Sequence, residues 1–177
     1  MKRAFLYALL PFVAALPLSE AQANERDRKF FESVEGEWVG PGEIVAGKYK
    51  GTKFTCTLKG STPSGAVGMS LDGGCRVGMF TQKMSAKVQK RGKGYSGTFL
   101  DGAKGKGLDI VSGSVNGSKV TFALNRASLK GAMLARLPSE NTMNVTVSVR
   151  VDNEMVPVIG MSLKRVDGSA VGSVAQN

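Results

Sequence analysis

The sequence predicts an all-β chain: an up-and-down antiparallel β-barrel of about eight to ten strands behind a short N-terminal helix. Three observations carry that expectation. From Glu37 onward apolar and polar residues alternate with period two, the spacing of a strand with one buried face. Turn signals stand at Gly92-Lys93-Gly94, Asp101-Gly102, Asn116-Gly117 and Asp152-Asn153, the first three about 10 to 15 residues apart. The chain of 177 residues also holds 23 glycines, which favours tight turns over a helix bundle. Helices do not alternate with the strands, so a parallel sheet is not expected. A long meander has two edges to hide, and closure into a barrel removes them.

Met1 to Ala23 reads as a secretory signal peptide. Lys2 and Arg3 open it, Phe5 to Leu18 is apolar, and Ala21-Gln22-Ala23 supplies small residues at the cleavage positions. The apolar stretch is shorter than the roughly 20 residues of a membrane-spanning helix, and no later segment is long enough either. The expected protein is therefore exported, to a bacterial periplasm or beyond, with no transmembrane span after cleavage. Cys56 and Cys75 are the two cysteines of the chain. An oxidising compartment would join them in one disulfide that closes a loop of about 20 residues; two free buried thiols are the alternative.

Asn24 to Val34 is the helix candidate, with Phe30, Phe31 and Val34 on one face and charged residues on the other. The strands follow. Phe54, Cys56 and Leu58 share a face against Thr55, Thr57 and Lys59. Met84, Ala86 and Val88 alternate with Lys83, Ser85 and Lys87, and Val120, Phe122 and Leu124 with Lys119, Thr121 and Asn125. Met143 to Val151 is the clearest half-buried strand. Asn116-Gly117 between two such runs is a hairpin signal. One barrel domain is expected over 24–167, and the small, polar stretch Gly168 to Asn177 is expected to fray.

The composition excludes several chemistries. The chain has no histidine, which removes His-based acid–base catalysis, His-activated nucleophiles and His-ligated haem or zinc. With the cysteines paired, transition metals lack their preferred ligands, so neither a metal nor a cofactor is expected. Gly92-Lys93-Gly94-Tyr95-Ser96-Gly97 spells a dinucleotide fingerprint, but it leads into a strand and not a helix, so it reads as a hairpin turn. Glu35 and Glu37 lie close in sequence, yet a solvated rim explains them better than a glycosidase pair. An enzyme is not expected.

The segment Gly36-Glu37-Trp38-Val39-Gly40-Pro41-Gly42 follows the short helix and opens the first strand. This G-x-W resembles the calycin superfamily of lipocalins, fatty-acid-binding proteins and avidins. The resemblance implies that Trp38 plugs the closed end of a barrel and that a basic residue of the last strand, Lys164 or Arg165, packs over it. The extended G-x-W-x-G-x-G is also similar to the opening of nitrobindin haem barrels, whose haem needs the histidine that this chain lacks.

Net charge is +10, from 24 Lys and Arg against 14 Asp and Glu. Lys83, Lys87, Lys90, Arg91 and Lys93 concentrate on one predicted hairpin, with Lys104 and Lys106 beyond it and Asp101 opposing them. Two readings stand: a contact for an anionic partner such as lipid headgroups, or a solvated basic face. Nucleic acid is not expected, because no aromatics interleave the lysines. Methionines fall on several inward positions, which suits a lipid-sized cavity or a fully packed core. The sequence thus points to a monomeric, non-enzymatic envelope barrel that binds an apolar or amphiphilic ligand. Its inward contacts would be Phe54, Leu58, Met84, Phe99, Phe122 and Met143. The other reading is a small exported inhibitor or interaction module that works through its loops.

Overall fold

A computed structural model describes residues 18–100 and 108–166 of the chain. The leader up to Pro17, the tail Gly168 to Asn177, and Asp101, Gly102, Lys104 and Lys106 lie outside the described residues.

Helix α1 spans Leu18–Glu32, so it starts before the expected Asn24. Ala21, Gln22 and Ala23 are good helix formers, and they extend the helix upstream of the charged segment. Its C-terminal turn tightens: Val34 N–H donates to Phe31 O and Glu35 N–H to Glu32 O, the i to i−3 pattern of a 3₁₀ end. The expected apolar face holds, with Phe30, Phe31 and Val34 all buried.

Ten strands follow among the described residues: β1 (Gly36–Ile44), β2 (Lys53–Ser61), β3 (Gly68–Val77), β4 (Phe80–Arg91), β5 (Gly94–Leu100), β6 (Leu108–Asn116), β7 (Lys119–Arg126), β8 (Leu129–Ser139), β9 (Thr142–Val151) and β10 (Glu154–Val166). Each pairs antiparallel with its neighbour in sequence, and β1 closes the ring on β10. The all-β, up-and-down barrel expected from the alternation is therefore the fold. Pro138 and Pro157 sit inside strands, at the register shifts of β8 and β10. A proline cannot donate to the ladder, and a bulge is where that loss is tolerated.

Alternation sorts the side chains. Cys56 and Leu58 are buried while Thr55, Thr57 and Lys59 are exposed, and Val120, Phe122 and Leu124 are buried inside β7. Apolar faces point inward, the reverse of the outward apolar band of a transmembrane barrel. No helix among the described residues is long and apolar enough to cross a membrane.

Helix α1 covers one end of the barrel. The chain emerges from it at Val34, which lies against β2 at Gly60. A Cβ at Gly60 would collide with the Val34 carbonyl oxygen, so only glycine lets the helix end settle there. The turns after β2, β4, β6 and β8 share this helix end. The turns after β1, β3, β7 and β9 lie at the far end.

Cys56 and Cys75 face each other directly in the β2–β3 ladder and form a disulfide. Thiol labelling of the denatured, unreduced protein should therefore modify no cysteine. Two labelled thiols in protein taken from an oxidising compartment would contradict the pairing.

Candidate functional site

The helix end is built around Trp38. Its side chain is wholly buried, and its Nε1–H donates to the Val34 carbonyl at 2.9 Å. Arg165, opposite Trp38 in the β1–β10 register, lays its guanidinium 4.3 Å from the ring centroid. The guanidinium also donates to Ser33 O at 2.7 Å, to Glu140 O at 3.1 Å and to Glu35 O. Two of those carbonyls, Ser33 and Glu35, lie in the turn that directly follows α1, so Arg165 fastens the end of the helix and covers the tryptophan together. Of the two basic candidates it is Arg165 that does this. Lys164 points away and donates to Thr142 Oγ1 at 2.8 Å.

The helix is fastened a second time by Asp27. Its Oδ2 accepts from Lys90 Nζ at 2.7 Å and from Tyr95 O–H at 2.5 Å. Both charged side chains are largely out of water, with 18% and 14% of their surface exposed. Burial first, and then the bond and charge of Asp27, hold the Tyr95 hydroxyl well above its ordinary pKa. The phenol thus stays the donor and the carboxylate the acceptor. Asp27 reaches this site because it precedes Phe30 and Phe31 by three and four residues on one helix face. Those rings continue inward as an edge-to-face series, Phe30 to Phe31 to Tyr95 to Phe122.

Beneath this plug lies the barrel interior. It keeps a void of about 80 Å³, lined by Leu58, Phe99, Phe122 and the methionines Met69, Met84, Met133, Met143 and Met161. Ser85 is the one polar residue in the lining, which holds no charged side chain. Five of the six expected inward contacts therefore meet in one place. Phe54 does not: it is half-buried and packs across β1 against Gly42, outside the void. The void is far smaller than the roughly 300 to 1,000 Å³ of most ligand pockets. The lipid-sized space allowed by the sequence is filled, in this state, by the methionines.

On the other side of the plug is an open cleft of about 600 Å³ between α1, the β4–β5 turn and the β6–β7 hairpin. Arg26, Lys29 and Lys93 line it with Ser114, Asn116 and Ser118, and its floor includes Asp27, Lys90 and Tyr95. Phe30 lines both the cleft and the interior void, so one ring forms a wall between a basic space and an apolar one.

The expected basic hairpin does not act as one patch. Lys83, Lys87 and Arg91 are exposed on the outer face of β4, but eight residues of strand separate Lys83 from Arg91, about 26 Å. That is several times the Debye length of about 8 Å at physiological salt. Lys90 faces inward, as the parity of Met84, Ala86 and Val88 dictates, and is committed to Asp27. Lys93 instead joins Arg26 and Lys29, two helix cations that carried no site signal in the sequence because they read as the solvated face of α1.

No family model matches the chain, and no curated protein matches it. Among solved structures it is similar to a protein of unknown function from the DUF3598 family of Nostoc punctiforme PCC 73102, at 14% identity and a TM-score of 0.49. The match covers 77% of this chain and 49% of that one, so the chain spans about half the length of its structural neighbour.

Proposed function

We propose that this protein is an exported, non-enzymatic, calycin-like barrel that binds an anionic amphiphile, its apolar part inside the barrel and its charged group in the helix-side cleft. The observation that carries this reading is the Phe30 wall: an apolar, methionine-lined interior and a cleft with Arg26, Lys29 and Lys93 share that single side chain. Methionine is unbranched and changes rotamer easily, so five of them can yield space that a Leu- or Val-lined core would not. Trp38 under Arg165 at the plugged end matches what the calycin resemblance implies. The leader-like N-terminus and the Cys56–Cys75 disulfide fit a place outside the cytoplasm.

The test uses a fluorescent apolar probe, N-phenyl-1-naphthylamine, and its displacement by a long-chain fatty acid and by the corresponding neutral alcohol. The probe should bind with low-micromolar affinity, and the acid should displace it better than the alcohol. Ala135→Leu, which fills the void from β8, should abolish probe binding while the barrel still melts cooperatively. Lys93→Glu should weaken the acid and leave the alcohol unchanged. Absence of probe binding, or equal binding by Ala135→Leu, would refute the interior site.

A further inference from the structure

The far end of the barrel, away from α1, carries a feature that interior ligand binding does not use. Met79 and Phe80, at the β3–β4 turn, are 94% and 81% exposed. Tyr49, Val45 and Val77 stand exposed beside them, and Val151 and Met155 continue the series at the β9–β10 turn. All belong to neighbouring staves of the ring, since β9, β10, β1, β2, β3 and β4 are consecutive in the closed sheet. Most of the exposed large apolar side chains among the described residues thus lie at this end, Val111 and Leu134 within β6 and β8 being the exceptions. A water-facing protein exposes single apolar residues everywhere, but a cluster at one end marks a contact surface.

Cations ring the same rim. Lys50 and Lys53 flank the β1–β2 connection, Arg76 and Lys83 bracket the β3–β4 turn, and Lys48 lies 5.5 Å from the Tyr49 ring. Among the described residues the acids of this end are Asp152 and Glu154 on the β9–β10 side, Asp109 at the start of β6, and the half-buried Glu43 opposite Lys53. The charges nearest the Met79–Phe80 tip in its own hairpin, Arg76 and Lys83, are both positive.

We infer that this rim docks on an anionic lipid bilayer, with Met79 and Phe80 entering the boundary between headgroups and acyl chains. Three features favour a bilayer as the occupant. The apolar side chains stand on separate hairpin tips, a form that soft lipid accepts and that a protein partner would have to match with individual pockets. An aromatic and a thioether at the tip, with lysines set back along the strands, place the apolar groups in the interface and the charges at headgroup level. A second copy of this chain is disfavoured, because a self-interface would set the lysine ring against itself. The docking does not depend on the interior ligand site and uses the opposite end of the barrel.

Co-sedimentation with vesicles tests it, using phosphatidylcholine alone and phosphatidylcholine with about one-third phosphatidylglycerol, at low and high salt. The protein should pellet with the anionic vesicles at low salt and be released by high salt. Met79→Ser with Phe80→Ser should weaken binding by at least about tenfold, and Lys50→Glu with Lys53→Glu and Lys83→Glu by about a hundredfold or more. Lys119→Glu, at the helix end and outside the cleft, should bind like the wild type. A Phe80→Trp variant should shift its emission to the blue on anionic vesicles, against a constant contribution from the buried Trp38. Failure to pellet, salt-indifferent binding to both vesicles, or wild-type binding by the tip variant would overturn the inference. So would a dimer in solution that the tip variant abolishes, which would assign the rim to protein contact. Probe binding in the interior should survive every rim variant, so the two readings fail separately.

Discussion

Trp38→Ala should lower the stability of the barrel by about 3 to 5 kcal/mol. The side chain is wholly buried, and its removal leaves a cavity at the junction of α1, β1, β2 and β10. Relaxation cannot fill that space easily. Gly40, two residues on, packs its Cα against the Ser162 carbonyl and Leu163 of β10, so the β1–β10 contact is already as close as a glycine permits. Two further losses add to the packing term. Val34 O loses its Nε1–H donor, worth about 1 kcal/mol, and the Arg165 guanidinium loses the ring it covers. Trp38→Phe separates these contributions, because it keeps most of the packing and removes only the donor. It should cost about 1 to 2 kcal/mol. Denaturant unfolding followed by far-ultraviolet circular dichroism reads both, since Trp38 is the sole tryptophan and its variants lose the fluorescence signal. A loss below about 1 kcal/mol in Trp38→Ala would mean that the plugged end does not depend on this ring.

The barrel was legible in the sequence because its signals are local. Residues two apart decide which side of a strand is wet, and Asn116-Gly117 or Asp152-Asn153 sets a hairpin without reference to the rest of the chain. Closure followed from the need to hide two edges. The interior was legible as a set of residues but not as a volume. Leu58, Met84, Phe99, Phe122 and Met143 do converge, yet whether they enclose a lipid-sized space depends on rotamers across ten strands. The hairpin cations show the opposite failure. Lys83 to Lys93 are close in sequence, but strand parity divides them: Lys83 and Lys87 face outward, and Lys90 belongs with Met84, Ala86 and Val88. Its partner Asp27 is one of the charged residues assigned by charge to the face opposite Phe30 and Phe31, although its spacing of three and four residues sets it beside them. The meeting of Asp27, Lys90 and Tyr95 was not readable, since it joins segments more than sixty residues apart. The far rim escaped for another reason: Tyr49, Met79 and Met155 fall in or beside turns, where periodicity carries no information.

Asp27→Ala should destabilise the protein by about 3 kcal/mol and loosen the helix from the barrel. The substitution removes one carboxylate, whose Oδ2 is the shared acceptor, and strands two groups. Lys90 keeps its charge in a site where 18% of its side chain reaches water, and the Tyr95 hydroxyl loses its acceptor. An uncompensated ammonium in such a place costs more than the ion pair contributes, which is why breaking one partner is worse than removing both. Adding Lys90→Met should therefore restore a substantial part of the loss, and a double-mutant cycle should show coupling of about 1 kcal/mol or more. The consequence for binding follows from the position of the pair. Asp27 anchors the helix one turn before Phe30, the ring that separates cleft from interior. With the anchor gone, the wall should open more often. Probe association measured by stopped flow should then speed up in Asp27→Ala, and return toward the wild-type rate in the double variant as the apolar methionine reseats the helix. Stability equal to the wild type would show that the pair is ornamental to the fold. Slower or unchanged association in a destabilised Asp27→Ala protein would show that ligands reach the interior by a path that leaves α1 in place.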